Sequence, residues 1–183
     1  DMIVEDGKVI GIRVRNLQTE KSKDIECDRL LLCVGHSARD TFKMLYGKGV
    51  EIKQKPFAMG VRIEHLQSDI NKALYGKFHD SEYLGAADYK IWTHLKSGRG
   101  VYTFCMCPGG FVVNASSEEG HLVVNGMSNH DRGELVANSA IVVTVSSKDY
   151  GENPLDGIEY QRNLEKVAYV KGNGNIPLQT YKD

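Results

Sequence analysis

Pro56 opens a run, PFAMGVRIEH, in which Phe57, Met59, Val61 and Ile63 alternate with Ala58, Gly60, Arg62 and Glu64. A period of two sets the apolar residues on one face of a strand and leaves the other face to end in charge. Downstream, Ile91 to Leu95, Val101 to Met106, Phe111 to Ala115, His121 to Asn125 and Ser139 to Val145 have strand character. They are punctuated at Ser97-Gly98, Pro108-Gly109-Gly110 and Glu118-Glu119-Gly120. Neighbouring strands joined by such short turns pair antiparallel, because a parallel pair needs a long crossover. The expected class is α+β, mainly antiparallel sheet with a few helices.

The flanks follow other rhythms. Met2 to Val14 reads as a hairpin about Asp6-Gly7, and Ile25 to Val34 as a short strand followed by a fully buried one, Leu30-Leu31-Leu32-Cys33-Val34. An apolar run without alternation belongs in the middle of a sheet. Ser37 is placed to cap a helix carrying Ala38, Phe42, Leu45 and Tyr46 and closed by Gly47 and Gly49. Gln67 to Tyr75 fits a short helix, Gly76 to Lys90 has turn chemistry without a period, and Ile158 to Lys171 is helical up to the Gly172-Asn173-Gly174-Asn175 break. These signals divide the chain into residues 1–50 (hairpin, buried strand, helix), a β-rich unit over 51–171, and an extended segment over 172–183. Asp1, with no methionine ahead of it, reads as the start of a piece from a longer protein.

The 183 residues, 41% of them hydrophobic, suffice for one ordinary core or two small lobes sharing an interface. A net charge of −1 offers no general attraction to nucleic acid or acidic membranes, so neither is an expected partner. No apolar stretch approaches the roughly 20 residues of a membrane helix, and the first residues lack a signal-peptide layout. A cytoplasmic protein is expected. Nucleophile-elbow, Walker, His-Glu-x-x-His and EF-hand spacings are absent.

The chemistry concentrates in CMCPGG. A structural zinc site needs four ligands, and Cys27 and Cys33 sit on another segment with wide spacing, so no metal is expected. Cys33, inside its apolar run, reads as a buried small hydrophobe. In a strand, Cys105 and Cys107 share a face, which leaves core packing, pocket lining or a redox pair as readings. Gly109 and Gly110 permit a close backbone approach, either to a flat ligand or to another part of the chain. Asn125, Ser128, Asn129 and Asn138 supply neutral hydrogen-bonding groups suited to a polar, uncharged ligand edge or to a solvated loop. Arg62, Glu64 and His65 end one strand together and suit an ion pair at a pocket rim or a solvent-facing strand end. The buried run ending in Gly35-His36-Ser37 has the form of a strand and turn leading to a helix N-terminus beside a nucleotide.

Taken together, LLCVGHSARDTFKMLYGKGVEIKQKPFAMGVRIEH, LGAADYK, GRGVYTFCMCPGGFVVNASSEEGHLVVNGMS and ANSAIVV resemble the central part of the uncharacterised FAD-dependent dehydrogenases, the NAD(FAD)-utilising dehydrogenase family. The resemblance runs from about Asp1 to the C-terminus. It implies a longer flavoprotein in which residues 1–50 are part of the FAD domain and residues 51–171 are an inserted, substrate-side domain. The rest of the FAD domain would be the partner of this chain. It further implies FAD as cofactor, with NAD(P)H as a possible donor and an unidentified small-molecule substrate. Gly35, His36, Ser37, Gly109 and Gly110 become the implied cofactor contacts. Cys105, Cys107, Asn125, Ser128, Arg62 and His65 become the implied substrate-pocket residues. The principal phosphate-binding turn is missing here, so this segment by itself is expected to be inactive and not to hold FAD tightly. The alternative is a non-catalytic binding or interaction module.

Overall fold

The structure, a computed structural model, describes residues 1–182. Its organising element is a four-stranded antiparallel sheet of order β4-β9-β6-β5, built from β4 (Phe57–Leu66), β5 (Trp92–His94), β6 (Gly100–Cys107) and β9 (Val136–Val145). The alternation that begins at Pro56 produces an unbroken register, from Phe57 opposite Val145 to Leu66 opposite Val136. Directly paired residues share a face. Met59, Ile63, Ile141 and Val143 therefore lie on one side of the sheet, and Arg62, Asn138 and Ala140 on the other.

Helix α2 (Gln67–Tyr75) follows β4 directly and packs beside β4 and β9. A hairpin of β7 (Gly110–Asn114) and β8 (Val124–Ser128) packs beside β4, β6 and β9. The short helix α3 (Ser147–Tyr150) opens on a capping box between Ser146 and Asp149. Helix α4 (Asp156–Lys171) rests against the end of β4, where Phe57 stacks on Tyr150 and meets Tyr160 edge-on. The predicted strand at His121 begins three residues late. The buried Leu122 donates its amide to the Glu165 carbonyl of α4, so sheet pairing starts only at Val124.

A separate three-stranded sheet, β1 (Met2–Glu5), β2 (Lys8–Arg15) and β3 (Ser22–Glu26), forms the other end of the chain. The apolar run that follows β3 departs from the expected buried strand. Leu30–Val34 is not a buried strand: it is irregular, Leu31 is 83% exposed, and Cys33 is exposed rather than packed as a small hydrophobe. Among the described residues no strand pairs with this run, and an apolar strand without partners cannot be buried on both faces. Helix α1 (Arg39–Gly47) starts one residue later than expected, with Ala38 rather than Ser37 at its N-cap and no side-chain cap.

An ion-pair seam joins α1 to α4. Arg39 makes two parallel hydrogen bonds to the Glu165 carboxylate, at 2.9 and 2.6 Å, and a third, at 3.0 Å, to Glu118. Glu118 also pairs with Arg162, and Lys43 with Glu159. After α4, the described chain to Lys182 is turn and coil; Asp183, the last residue of the expected extended segment, lies outside the described residues.

Candidate functional site

A bulge in β6 shapes the site. Phe104 pairs with Ala140 and Cys107 with Asn138, so β6 spends one more residue than β9 over this span. The excess is absorbed at Cys105, whose φ of +45° is rare for a residue with a side chain. The rule that residues i and i+2 share a strand face fails across such a bulge. Cys105 is exposed and Cys107 half-buried, and the Cys107 thiol lies 3.6 Å from the Cys105 carbonyl.

That carbonyl is held by Arg62. Its Nη2 donates to Cys105 O at 3.0 Å and to Asn125 Oδ1 at 3.3 Å, and its Nη1 donates to Asn138 Oδ1. One guanidinium thus ties β4 to the bulge of β6, to β8 and to β9. Asn138 is fully buried and its amide also donates to the Gly110 carbonyl at 2.9 Å, so both ends of its side chain are used. Gly126 completes the cluster, because a Cβ there would sit 2.3 Å from Arg62 Nη1 and 2.7 Å from Cys107 Sγ. No side chain fits between the hairpin and the guanidinium.

The sulfurs and the glycine turn therefore have different roles. Gly109 and Gly110 are buried. A Cβ on Gly109 would fall 1.8 Å from the Arg132 carbonyl, and one on Gly110 would fall 2.3 Å from that of Met127. The close approach these glycines permit is to the chain's own backbone, not to a flat ligand. Gln67, buried at the start of α2, fixes the turn further by accepting the Gly109 amide at 2.8 Å while donating to Ala87 O and Asn71 Oδ1. Ser128 Oγ is buried beside Gly110 without a hydrogen-bond partner among the described residues.

His65 does not join this group. It lies three residues from Arg62, an odd step, and so occupies the opposite sheet face, where its Nε2 is 2.7 Å from the Tyr89 hydroxyl. The expected rim of Arg62, Glu64 and His65 is thus split between the two faces. Burial pushes the Tyr89 phenol above its ordinary range, and the Ser139 hydroxyl opposes that only in part. Beside the pair, an open apolar cleft of about 390 Å³ is bounded by Ile63, Ile70, Leu74, Tyr89, Trp92 and Ile141.

Gly35, His36 and Ser37 lie outside both sites. Gly35 has φ +71° with nothing near its missing Cβ, and the His36 ring and Ser37 hydroxyl, 3.5 Å apart, are exposed. This uncovered backbone suits approach by a flat or phosphate-bearing ligand, whereas the buried Gly109-Gly110 turn does not. Gln67, Tyr89 and Gly126 had no sequence signal. Gln67 looked like an ordinary first helical residue, Tyr89 sat in a stretch without a period, and a glycine within a strand does not announce what it lies against. Among the described residues no group of three or more His, Cys, Asp or Glu side chains is placed to hold a metal ion. No helix among them is long and apolar enough to cross a membrane.

Residues 56–183 match a family model described as "FAD-dependent protein, C-terminal domain-like". A protein of Clostridium beijerinckii, described only as uncharacterized, is 50% identical to this chain over 183 residues. The alignment covers 98% of this chain and 33% of that relative, so the chain spans about a third of the relative's length.

Proposed function

Because this chain belongs to the FAD-dependent protein C-terminal domain-like family, we propose that it is the part of a FAD-dependent oxidoreductase that covers the flavin and lines the substrate pocket. Residues 1–50 contribute to the FAD domain on this reading, and residues 51–171 form the substrate-side domain. The observation that carries it is the Arg62 cluster, where a cation, the Cys107 thiol, the Cys105 carbonyl and two side-chain amides from four strands meet at a strained bulge. Strain of this kind is found where a site must be held in one geometry.

Gly35, His36 and Ser37 are the residues suited to hold the cofactor, through exposed backbone and short polar side chains. Bound FAD supplies a two-electron redox centre, with NAD(P)H as the proposed donor. The residues of this chain do the rest. Arg62 orients a polar substrate group, Asn125 and Asn138 hold the guanidinium in place, Cys105 and Cys107 line the approach, and the packed hairpin excludes water. A cytoplasmic setting belongs to the same proposal.

The test is the visible spectrum of the full-length protein followed by anaerobic titration with NADH and NADPH. Flavin bands that bleach with one nucleotide are the expected result. A colourless protein that cannot be reconstituted with FAD overturns the reading in favour of a non-catalytic binding module.

A further inference from the structure

We propose that Arg62 is an anion-binding residue of the substrate site and that the substrate it selects carries a carboxylate. The inference deepens the flavoenzyme reading and rests on it for the assignment of this sheet face to the substrate side.

Arg62 keeps neutral company. All three of its hydrogen-bond acceptors, Asn138 Oδ1, Asn125 Oδ1 and Cys105 O, are neutral. Among the described residues Arg62 forms no ion pair, although Glu64 lies two residues along on the same strand face and is exposed. A guanidinium carries five N–H donors, and three hydrogen bonds leave donors over. Nε has no protein partner and is not among the buried unpartnered atoms, so it keeps access to solvent.

The molecule treats its other enclosed arginines differently. Arg39 and Arg162 are each neutralised by carboxylates, and the buried Nε of each lacks a partner. Arg62 has the inverse arrangement: an uncompensated charge and an accessible donor. Neutral acceptors hold the guanidinium in place without cancelling its charge; both hydrogens of Nη2 are used, so Nε–H and the second Nη1–H remain, each able to give an oxyanion a single charge-assisted hydrogen bond. The missing side chain at Gly126 leaves room for Nη1, and the bulge at Cys105 brings its carbonyl to Nη2.

The test uses the full-length protein, with sodium benzoate as probe at constant ionic strength and benzamide as the neutral control. Benzoate is expected to bind by calorimetry, benzamide not to, and Arg62→Lys to weaken benzoate about tenfold or more, because a lysine keeps the charge and loses the planar group that the three acceptors hold in place. Phenylglyoxal modification of Arg62 in the unaltered protein, followed by peptide mass spectrometry, should slow several-fold under saturating benzoate. Absence of benzoate binding, unchanged affinity in a folded Arg62→Lys variant, or an unaltered modification rate overturns the proposal. If the variant does not fold, protection in the unaltered protein decides.

An Arg62 that is protected in the flavin-loaded protein without benzoate, and reactive only after flavin removal, would assign the anion to the cofactor and overturn the substrate assignment. The absorption spectrum of the same sample keeps the two readings apart. A flavin-containing protein that fails the benzoate test loses this inference alone. A colourless protein that binds benzoate through Arg62 loses the flavin reading and keeps the anion subsite.

Discussion

Leu30–Val34 and Val136–Val145 are both rich in strand-forming apolar residues, yet they end in opposite states. The second is a central strand with β4 on one side and β6 on the other, and Val145 at its end is 2% exposed. The first pairs with no strand among the described residues and leaves Leu31, Leu32 and Val34 open. The contrast shows that an apolar run states a requirement for neighbours; whether it becomes a strand depends on whether they are supplied. The same division runs through the molecule. Residues from Phe57 onward build a sheet around the largely enclosed strand β9, with only its short edge strand β5 exposed throughout, while the N-terminal sheet has no strand so enclosed and its β3 is exposed along its whole length.

The sharpest way to break this contrast is to damage the well-partnered side at its most enclosed polar residue. Asn138→Ala removes the acceptor of Arg62 and the donor to Gly110 O, leaving a cation and a carbonyl short of partners. Unsatisfied buried groups cost about 1–3 kcal/mol each, so a loss of about 3 kcal/mol is expected by urea denaturation of the full-length protein. Asn138→Asp, which keeps the acceptor, should lose less. An Ala variant as stable as the parent would show that the cluster does not hold the sheet and hairpin together.

How far the sequence foretold these states follows the same line. The alternation in Phe57–Glu64 was enough to place β4 and its two faces, because strand pleating is a local property, although Val61 on the apolar face stays 67% exposed and Arg62 on the other is half-buried. The Gln67–Tyr75 helix was likewise legible to its ends. The bulge at Cys105 was not, since it comes from a mismatch between β6 and β9 that neither strand shows alone. Arg62 could be singled out at a charged strand end, and Asn125 and Asn138 as neutral hydrogen-bonding groups. Their meeting at one guanidinium depends on three separate pairings and on a glycine at 126.

The seam between the two regions is the next place to press. Arg39, with its side chain 13% exposed, is the residue of α1 that carries the contacts to Glu165 and Glu118. Arg39→Met should cost about 2 kcal/mol, between the values for exposed and buried pairs, and should raise amide exchange in α1 more than in β4 or β9. Acid acts on the same seam. Burial pushes the Glu118 carboxyl upward, but hydrogen bonds from Arg162 and Arg39 outweigh it and leave it below the usual range. Glu159 is lowered mainly by its hydrogen bond from Lys43. A carboxylate with a depressed folded pKa contributes stability above its unfolded pKa and loses it as pH falls through the folded value. Exchange in α1 should therefore rise below the ordinary glutamate range, and less so in Arg39→Met, where part of that linkage is already gone.

The smallest expected effect lies on the N-terminal sheet. Arg13 and Asp24 face each other across β2 and β3 with two hydrogen bonds, at 2.7 and 2.8 Å, a geometry as good as that of Arg39 with Glu165. Their side chains are 58% and 47% exposed, however, and water screens the pair while each long side chain gives up freedom to form it. Arg13→Ala should leave the denaturation midpoint unchanged within experimental scatter and should not alter exchange in α1. A loss as large as that of Arg39→Met would mean that β3 is covered in the full-length protein. The contrast between the two regions would then belong to this segment of the chain alone.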